Sequence, residues 1–213
     1  MKRLFYFAVA TAMVATTAVS CGKSTKGKMD GEWTISSWES IVTEIDGNDT
    51  ETSTTKINAT SYSESYTSGS TTTTETGTVN QATWNIKKDG TWDKVVDFTY
   101  VSGSTTYKYT ITSSGKWDFL KGVSKDYKNN ERVVFNTLNS KSTRVTTVGG
   151  SSYTNSSSDT YKDGEVSTVY LITESKGKSL KLSADGSNDY SYTSGSTTNT
   201  STTNTKETYS LQQ

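Results

Sequence analysis

The sequence predicts an all-β protein, an antiparallel up-and-down meander that closes into a barrel. Polar and apolar residues alternate with a period of two in segment after segment, and Asp-Gly or Ser-Gly dipeptides separate these segments. No apolar stripe with the 3.6-residue period of a helix reaches a useful length. Only 30% of the 213 residues are hydrophobic, but five Trp, thirteen Tyr and five Phe provide a modest aromatic core.

Alternating apolar residues mark the predicted strands in chain order. The first strand carries Trp33, Ile35, Ser37, Glu39 and Ile41 on one face, with Trp38 and Val42 on the other. Each later strand also has one apolar face. The residues on these faces are Trp84 and Ile86; Trp92, Val96, Phe98 and Tyr100; Tyr107, Tyr109 and Ile111; Val133 and Phe135; Val166, Thr168, Tyr170 and Ile172; and Leu180 and Leu182.

Turn signals lie between these segments. Asp-Gly flanked by alternating strands is typical of tight hairpins, because both residues tolerate a positive φ angle. Two short motifs also recur. The segment 86–93 returns 25 residues later as 111–118, and Tyr-x-Ser-Gly-Ser-Thr-Thr occurs at 66–72, 100–106 and 192–198, where we expect hairpin tips. The predicted turns are Asp46-Gly47, Asp89-Gly90, Ser102-Gly103, Ser114-Gly115, Asn129-Asn130, Asp163-Gly164 and Asp185-Gly186.

Three segments, residues 48–80, 149–162 and 186–206, are rich in Ser, Thr and Asn. They are compatible with disorder or with long polar hairpins that extend beyond the barrel. Threonine and tyrosine favour strands, so we predict hairpins.

The N-terminus has the pattern of a secretory signal. Lys2 and Arg3 precede an apolar run, and Ala18-Val19-Ser20 leads directly into Cys21, the only cysteine. This arrangement resembles a bacterial lipobox, which implies that Cys21 becomes the acylated first residue of the mature chain. The alternative is an ordinary signal peptide cut after Ser20. We therefore expect a signal peptide at 1–20, a flexible basic tether at 21–30 and a single β domain at 31–213.

Several short motifs carry a family resemblance. They are Gly31-Glu32-Trp33, the run 84–91, Gly115-Lys116-Trp117-Asp118-Phe119, Tyr170-Leu171-Ile172 and Lys178-Ser179-Leu180-Lys181-Leu182. Their order resembles the lipocalin-like lipoproteins of the Bacteroidetes. The resemblance implies a lipocalin-like barrel with Trp33 packed across its closed end, and anchorage in the outer membrane through a lipid such as palmitate on Cys21. Surface-exported members of this group often carry an acidic run after the acylated Cys, and here the tether is basic, so the resemblance implies the periplasmic face rather than the cell surface.

The residue inventory argues against catalysis. The chain has no His, and lipidation consumes its one Cys, so histidine triads, thiol chemistry and histidine metal sites are excluded. Glu39, Asp93, Asp97 and Asp118 are the conceivable carboxylates for acid–base chemistry, but we expect them on solvated outer faces. We predict no enzyme activity, no metal and no cofactor.

Charge excludes a further class of partner. Removal of residues 1–20 lowers Lys plus Arg from 22 to 20 against 22 Asp plus Glu, which leaves a net charge of −2. A chain with this charge has no strong positive field to attract nucleic acid. We expect a monomer.

Ligand binding is the stronger functional prediction. Inward-facing aromatic residues either line a cavity for a small apolar or amphipathic ligand, or simply fill the core. The competing prediction is an envelope interaction or scaffold protein whose polar hairpins contact a glycan or a protein. The candidate cavity residues are Trp84, Trp92, Phe98, Tyr100, Tyr109 and Trp117.

Overall fold

The computed structural model describes residues 25–47, 49–120, 131–194 and 197–213, almost all of them in strands. One short helix, α1 (Thr25–Met29), precedes the sheet. Cys21 lies outside the described residues, as do the predicted turn at 129–130 and positions 195–196 of the third predicted hairpin tip. The strands are β1 (Gly31–Asp46), β2 (Asp49–Asn58), β3 (Ser61–Ser68), β4 (Thr71–Ile86), β5 (Thr91–Ser102), β6 (Thr105–Leu120), β7 (Arg132–Val148), β8 (Ser151–Thr160), β9 (Val166–Lys176), β10 (Ser179–Ser194) and β11 (Thr197–Gln212).

The strands form a closed antiparallel up-and-down barrel, which confirms the predicted fold class. Ten of them follow each other around the ring in the order β1 to β7, then β9, β10 and β11, and β11 pairs with β1. The eleventh strand, β8, pairs with the part of β7 beyond its β9 ladder. At one end β1 also pairs directly with β4, from Gly31–Ile86 to Thr34–Thr83, so that β2 and β3 are bypassed there.

This narrower end, which we call the closed end, is covered by α1. Met29 is fully buried, and the indole Nε1 of Trp33 donates a hydrogen bond of 2.8 Å to the Met29 carbonyl oxygen. Trp33 lies opposite Trp84 in the β1–β4 ladder. The helix therefore closes the barrel by packing on the first indole of the sheet. None of the described helices is both long enough and apolar enough to cross a membrane.

A bulge in β1 changes which residues face the core. The register of β1 against β11 shifts between Ile35 and Ser37. Beyond this shift Trp38 lies opposite the buried Ile57 and Tyr209, and it packs against the core. The predicted common face of Trp33 with Ile41 is therefore wrong, because the extra residue in the bulge turns the rest of the strand over.

The half of the barrel away from α1, which we call the open half, is built from the Ser/Thr-rich segments. The β4–β5 ladder ends at Gly77–Tyr100 and the β9–β10 ladder ends at Leu171–Ser183. β8 is exposed at every position, and none of the described strands pairs with its second edge. The described residues of the three polar segments thus form strands of hairpins, as predicted.

Hydroxyl groups join neighbouring strands across the open half. They pair Thr43 with Thr52, Ser65 with Thr74, Thr67 with Thr72, Thr143 with Ser156 and Thr147 with Ser152, at 2.8–3.4 Å. Such pairs occupy positions where a two-sided apolar sheet would bury methyl groups. The hairpins are therefore held by backbone ladders and hydroxyl contacts rather than by a core.

Two predicted turns are wrong. Ser114-Gly115 lies inside β6 and Asp185-Gly186 lies inside β10. The segment 111–118 is accordingly continuous strand, whereas its sequence repeat 86–93 contains the β4–β5 turn. At Gly115 the register against β7 shifts, and an added Cβ atom would meet the Asn136 carbonyl oxygen. Glycine is required there by the close approach of a neighbouring strand and not by a turn.

Candidate functional site

The six candidate cavity residues all lie on the inner face of the barrel. Trp84, Trp92, Phe98 and Trp117 are buried, and Tyr100 and Tyr109 are half-buried against the same core. Trp92 donates from Nε1 to the Lys116 carbonyl oxygen at 3.0 Å, and Trp117 donates to the Lys87 carbonyl oxygen at 2.8 Å. Trp92 therefore donates to segment 111–118, which contains Trp117, and Trp117 donates to segment 86–93, which contains Trp92.

Trp84 lies at the centre of the half of the barrel next to α1, which we call the closed half. Its ring is 4.6 Å from Phe135, 5.1 Å from Tyr209, 5.9 Å from Trp92 and 6.1 Å from Tyr170, measured between centroids. The side chain is 1% exposed. These rings occupy the interior near the closed end. In this part of the barrel the aromatic residues therefore fill the core rather than line a cavity.

One cation lies among these rings. The Lys94 ammonium group is 5.1 Å from the Trp84 centroid and 5.3 Å from the Tyr209 centroid, and it donates to the Tyr209 hydroxyl at 3.1 Å. Burial lowers the pKa of Lys94, and the charge of Glu207 opposes that shift. The Tyr170 hydroxyl donates to Glu207 at 2.5 Å, and burial raises the pKa of Tyr170. A small polar cluster thus lies within the apolar core, between Trp92 and the buried Val96 and Phe98 of β5.

Toward the open half, aromatic rings stack across the inner face of β3, β5 and β6. We call this set the aromatic ladder: Tyr62, Phe98, Tyr100, Tyr107 and Tyr109. Neighbouring centroids are 4.0 Å apart for Tyr62–Phe98, 5.3 Å for Phe98–Tyr109, 5.0 Å for Tyr100–Tyr107 and 6.1 Å for Tyr100–Tyr109, with interplanar angles of 9–22°. Gly77 lies opposite Tyr100, and an added Cβ there would be 2.8 Å from the Tyr100 Cβ. The ladder therefore presents the half-buried, nearly parallel rings of Tyr100, Tyr107 and Tyr109 to the open half, and the buried rings of Tyr62 and Phe98 support them.

A groove of about 280 Å³ adjoins the ladder on β6, β7 and β8. We call it the Arg144 groove. Tyr109, Arg144 and Asn155 are direct cross-strand neighbours, and Ser142 lies opposite Ser157, so all five residues share the inner face. The Tyr109 hydroxyl accepts from the guanidinium and raises the pKa of Arg144. None of the ion pairs among the described residues includes Arg144.

Carboxylates face the same space from β3 and β4. Glu64 and Glu75 lie directly opposite each other, and the Tyr62 hydroxyl donates to Glu64 at 2.6 Å. Burial first, and then the Glu64 hydrogen bond and charge, raise the pKa of Tyr62. Burial also raises the pKa of Tyr100, and Tyr109 and Glu75 add to the shift. The open half therefore combines stacked rings, a guanidinium group and a carboxylate pair.

The four carboxylates considered for acid–base chemistry are found in separate surface contacts. Glu39 pairs with Lys56 at 2.8 Å, Asp93 with Lys87 at 2.7 Å, and Asp118 with Lys26 at 3.4 Å.

Asp97 is the most buried of the four. Partial burial acts to raise the pKa of Asp97, but hydrogen bonds from Asn80 and Thr110 and the Lys108 charge leave it below its usual value. Within the described ranges, no three Asp or Glu side chains cluster in a way that could hold a metal ion.

Sequence reasoning missed Arg144, Glu75 and Lys94. All three are charged residues at inward-facing positions of strands, so alternation with the flanking apolar residues could have identified Lys94, between Trp92 and Val96. No such signal exists for Arg144 or Glu75, because the parts of β7 and β4 that carry them are polar on both faces.

Comparison with protein-family models, with curated proteins and with solved structures finds no match to this chain. The fold and the geometry of the open half are therefore the basis for assigning a function.

Proposed function

We propose that this protein is a non-catalytic, lipid-anchored binding domain whose aromatic ladder holds a small amphipathic ligand. The observation that carries the proposal is the set of nearly parallel tyrosine rings in the open half. Flat rings with hydroxyl groups offer both an apolar face and polar edges, which suits a ligand with the same two characters. The closed half is occupied by its own side chains, so the proposed site lies at the mouth rather than in the barrel base.

The proposed anchor is a lipid on Cys21 in the outer membrane, on the periplasmic side. α1 and the start of β1 lie at the closed end, so a tether that leads into them would direct the open half away from the bilayer. Phase partitioning in detergent tests the anchor. The wild-type protein should enter the detergent phase, Cys21→Ser should stay in the aqueous phase, and aqueous partitioning of both would refute lipidation.

Native mass spectrometry of protein purified from the envelope tests the ligand site. We expect a retained small molecule in the wild type that is lost in Tyr100→Ser. The matched control is Val101→Ser, since Val101 is the next residue on the opposite face and is 60% exposed. Two results would count against the proposal: a molecule retained equally by both variants, or no retained molecule in the wild type and in both variants.

A second candidate function is contact with a glycan or protein partner through the polar hairpins. It is favoured by β8, which is exposed throughout, and by Tyr153 on that strand, which is 68% exposed. Exposed tyrosine surrounded by Ser, Thr and Asn suits adaptable recognition. Pull-down from envelope extracts with Tyr153→Ser would remove a partner if this candidate is correct, and unchanged partners would refute it.

A further inference from the structure

The Arg144 groove has the chemistry of a carboxylate site. The guanidinium of Arg144 is exposed on the inner face and its fork of donors matches the two oxygens of a carboxylate. The other walls are a tyrosine ring and three neutral side chains, Ser142, Asn155 and Ser157, which donate or accept hydrogen bonds. A volume of about 280 Å³ is at the lower end of ligand sites, so the groove suits a small group.

The opposing strands carry the opposite charge. Glu64 and Glu75 are directly opposed across β3 and β4, an arrangement in which like charges repel. Glu64 already accepts the Tyr62 hydroxyl, and Glu75 interacts with the Tyr100 hydroxyl on the side of the Arg144 groove. A positive group beside Glu75 would relieve this repulsion, whereas a ligand with only negative charge would increase it.

The aromatic ladder lies between the two charges. Arg144 on β7 and Glu75 on β4 are separated by β6 and β5, which carry Tyr109 and Tyr100, and each charged group interacts with one of these phenols. Three interstrand spacings of about 4.8 Å separate β7 from β4, and the long Arg144 and Glu75 side chains shorten the gap between their charged ends. This gap suits an extended peptide of two or three residues, which spans about 3.3–3.6 Å per residue.

We propose that the open half binds a di- or tripeptide with free termini, its carboxylate on Arg144, its ammonium group beside Glu75 and its backbone across the rings of Tyr100 and Tyr109. This inference rests on the binding function proposed above and names its ligand class. Recognition depends on both charges of the ligand. Blocking one terminus of the peptide should therefore weaken binding only while the protein residue that faces that terminus keeps its charge.

Isothermal titration calorimetry with the full-length chain in detergent tests this, with Ala-Ala-Ala as the probe. Amidation of the peptide C-terminus and Arg144→Gln should each weaken binding by about tenfold or more, the range for hydrogen bonds to charged groups. Combined, they should cost little more than either alone, because they remove the same contact. N-acetylation and Glu75→Gln should form a second such pair.

The controls separate site chemistry from net charge. Lys141→Gln removes a positive charge from the outer face of the same strand, and Glu32→Gln removes an exposed negative charge near the closed end; neither should alter peptide affinity. Arg144→Lys, which keeps the charge without the planar fork, should bind more weakly than the wild type and more tightly than Arg144→Gln.

Three results would overturn the inference: equal affinity for free and blocked peptides, additive losses within either pair, or no heat of binding at millimolar peptide. If the peptide fails but a small molecule is still retained in a Tyr100-dependent way, only the ligand class is wrong. If neither binds, the proposed function also fails.

Discussion

Gly115 and Gly186 allow a direct test of how this sheet packs, because both lie inside strands and both follow a residue typical of turns. Neither has a positive φ angle, so alanine is compatible with the backbone conformation at both. The surroundings differ. An added Cβ at Gly115 would lie 1.9 Å from the Asn136 carbonyl oxygen, whereas at Gly186 nothing lies within 4 Å.

The two substitutions should therefore change stability in opposite directions. At Gly115 the contact must lengthen by about 1.5 Å to become ordinary, which would break the adjacent β6–β7 hydrogen bonds. Each buried group left without a partner costs about 1–3 kcal/mol, so Gly115→Ala should lower the free energy of unfolding by about 2–4 kcal/mol. Gly186→Ala should raise the free energy of unfolding by about 0.4–1 kcal/mol, because alanine reduces the conformational freedom of the unfolded chain.

Urea unfolding followed by tryptophan fluorescence measures both free energies of unfolding. The wild type and the two variants should share the same slope with denaturant concentration, so that midpoints compare directly. A Gly115→Ala variant as stable as the wild type would refute the close approach of β6 and β7, and a Gly186→Ala loss above 1 kcal/mol would refute the open surroundings of β10.

Three further predictions concern the charged and phenolic groups. Lys94→Met should raise the free energy of unfolding at neutral pH by about 1 kcal/mol, since it removes a partly buried cation that lies among aromatic rings. The gain should shrink toward pH 10.5, because burial lowers the pKa of Lys94. A variant less stable than the wild type at neutral pH, as measured by urea titration, would contradict this. The raised pKa values of Tyr62, Tyr170 and Tyr209 mean that the folded state holds these protons longer, so stability should fall above about pH 10, and circular dichroism in alkaline titration should show unfolding together with delayed phenolate absorbance. The lowered pKa of Asp97 gives stability that is present above pH 3.8 and lost below it, so Asp97→Asn should flatten the acid limb of the stability curve, and an unchanged limb would exclude that role.

The fold class could be predicted because it depends on local patterns. Alternation at Trp92, Val96 and Phe98, and turns such as Asp89-Gly90, report only on neighbouring residues, and the structure confirms them. Gly115 misled the prediction because its requirement comes from Asn136, which lies on another strand. A glycine in a crowded strand and a glycine in a turn are alike in sequence.

The candidate site was predictable only on its aromatic side. Tyr100 and Tyr109 lie two residues from Phe98 and Ile111, and this period of two predicts that they share the inner face. The position of Arg144 depends on the bulge at Gly115 and on the pairing of β8 with β7, neither of which leaves a periodic signal. The direct β1–β4 ladder was equally hidden, because two whole strands separate its partners in the chain.

The hydroxyl pairs of the open half have a thermodynamic consequence for the whole chain. Unfolding raises the heat capacity in proportion to the apolar surface that becomes wet, while newly wetted polar surface lowers it. The hairpins pair exposed hydroxyls such as those of Thr67 and Thr72, and they hide backbone polar groups more than methyl groups. On unfolding, each hairpin residue should therefore contribute less than the usual value of about 12–15 cal/mol/K, or even a negative amount. A chain with such a small heat-capacity change has a flat stability curve, so its folded fraction should change little between cold and warm surroundings.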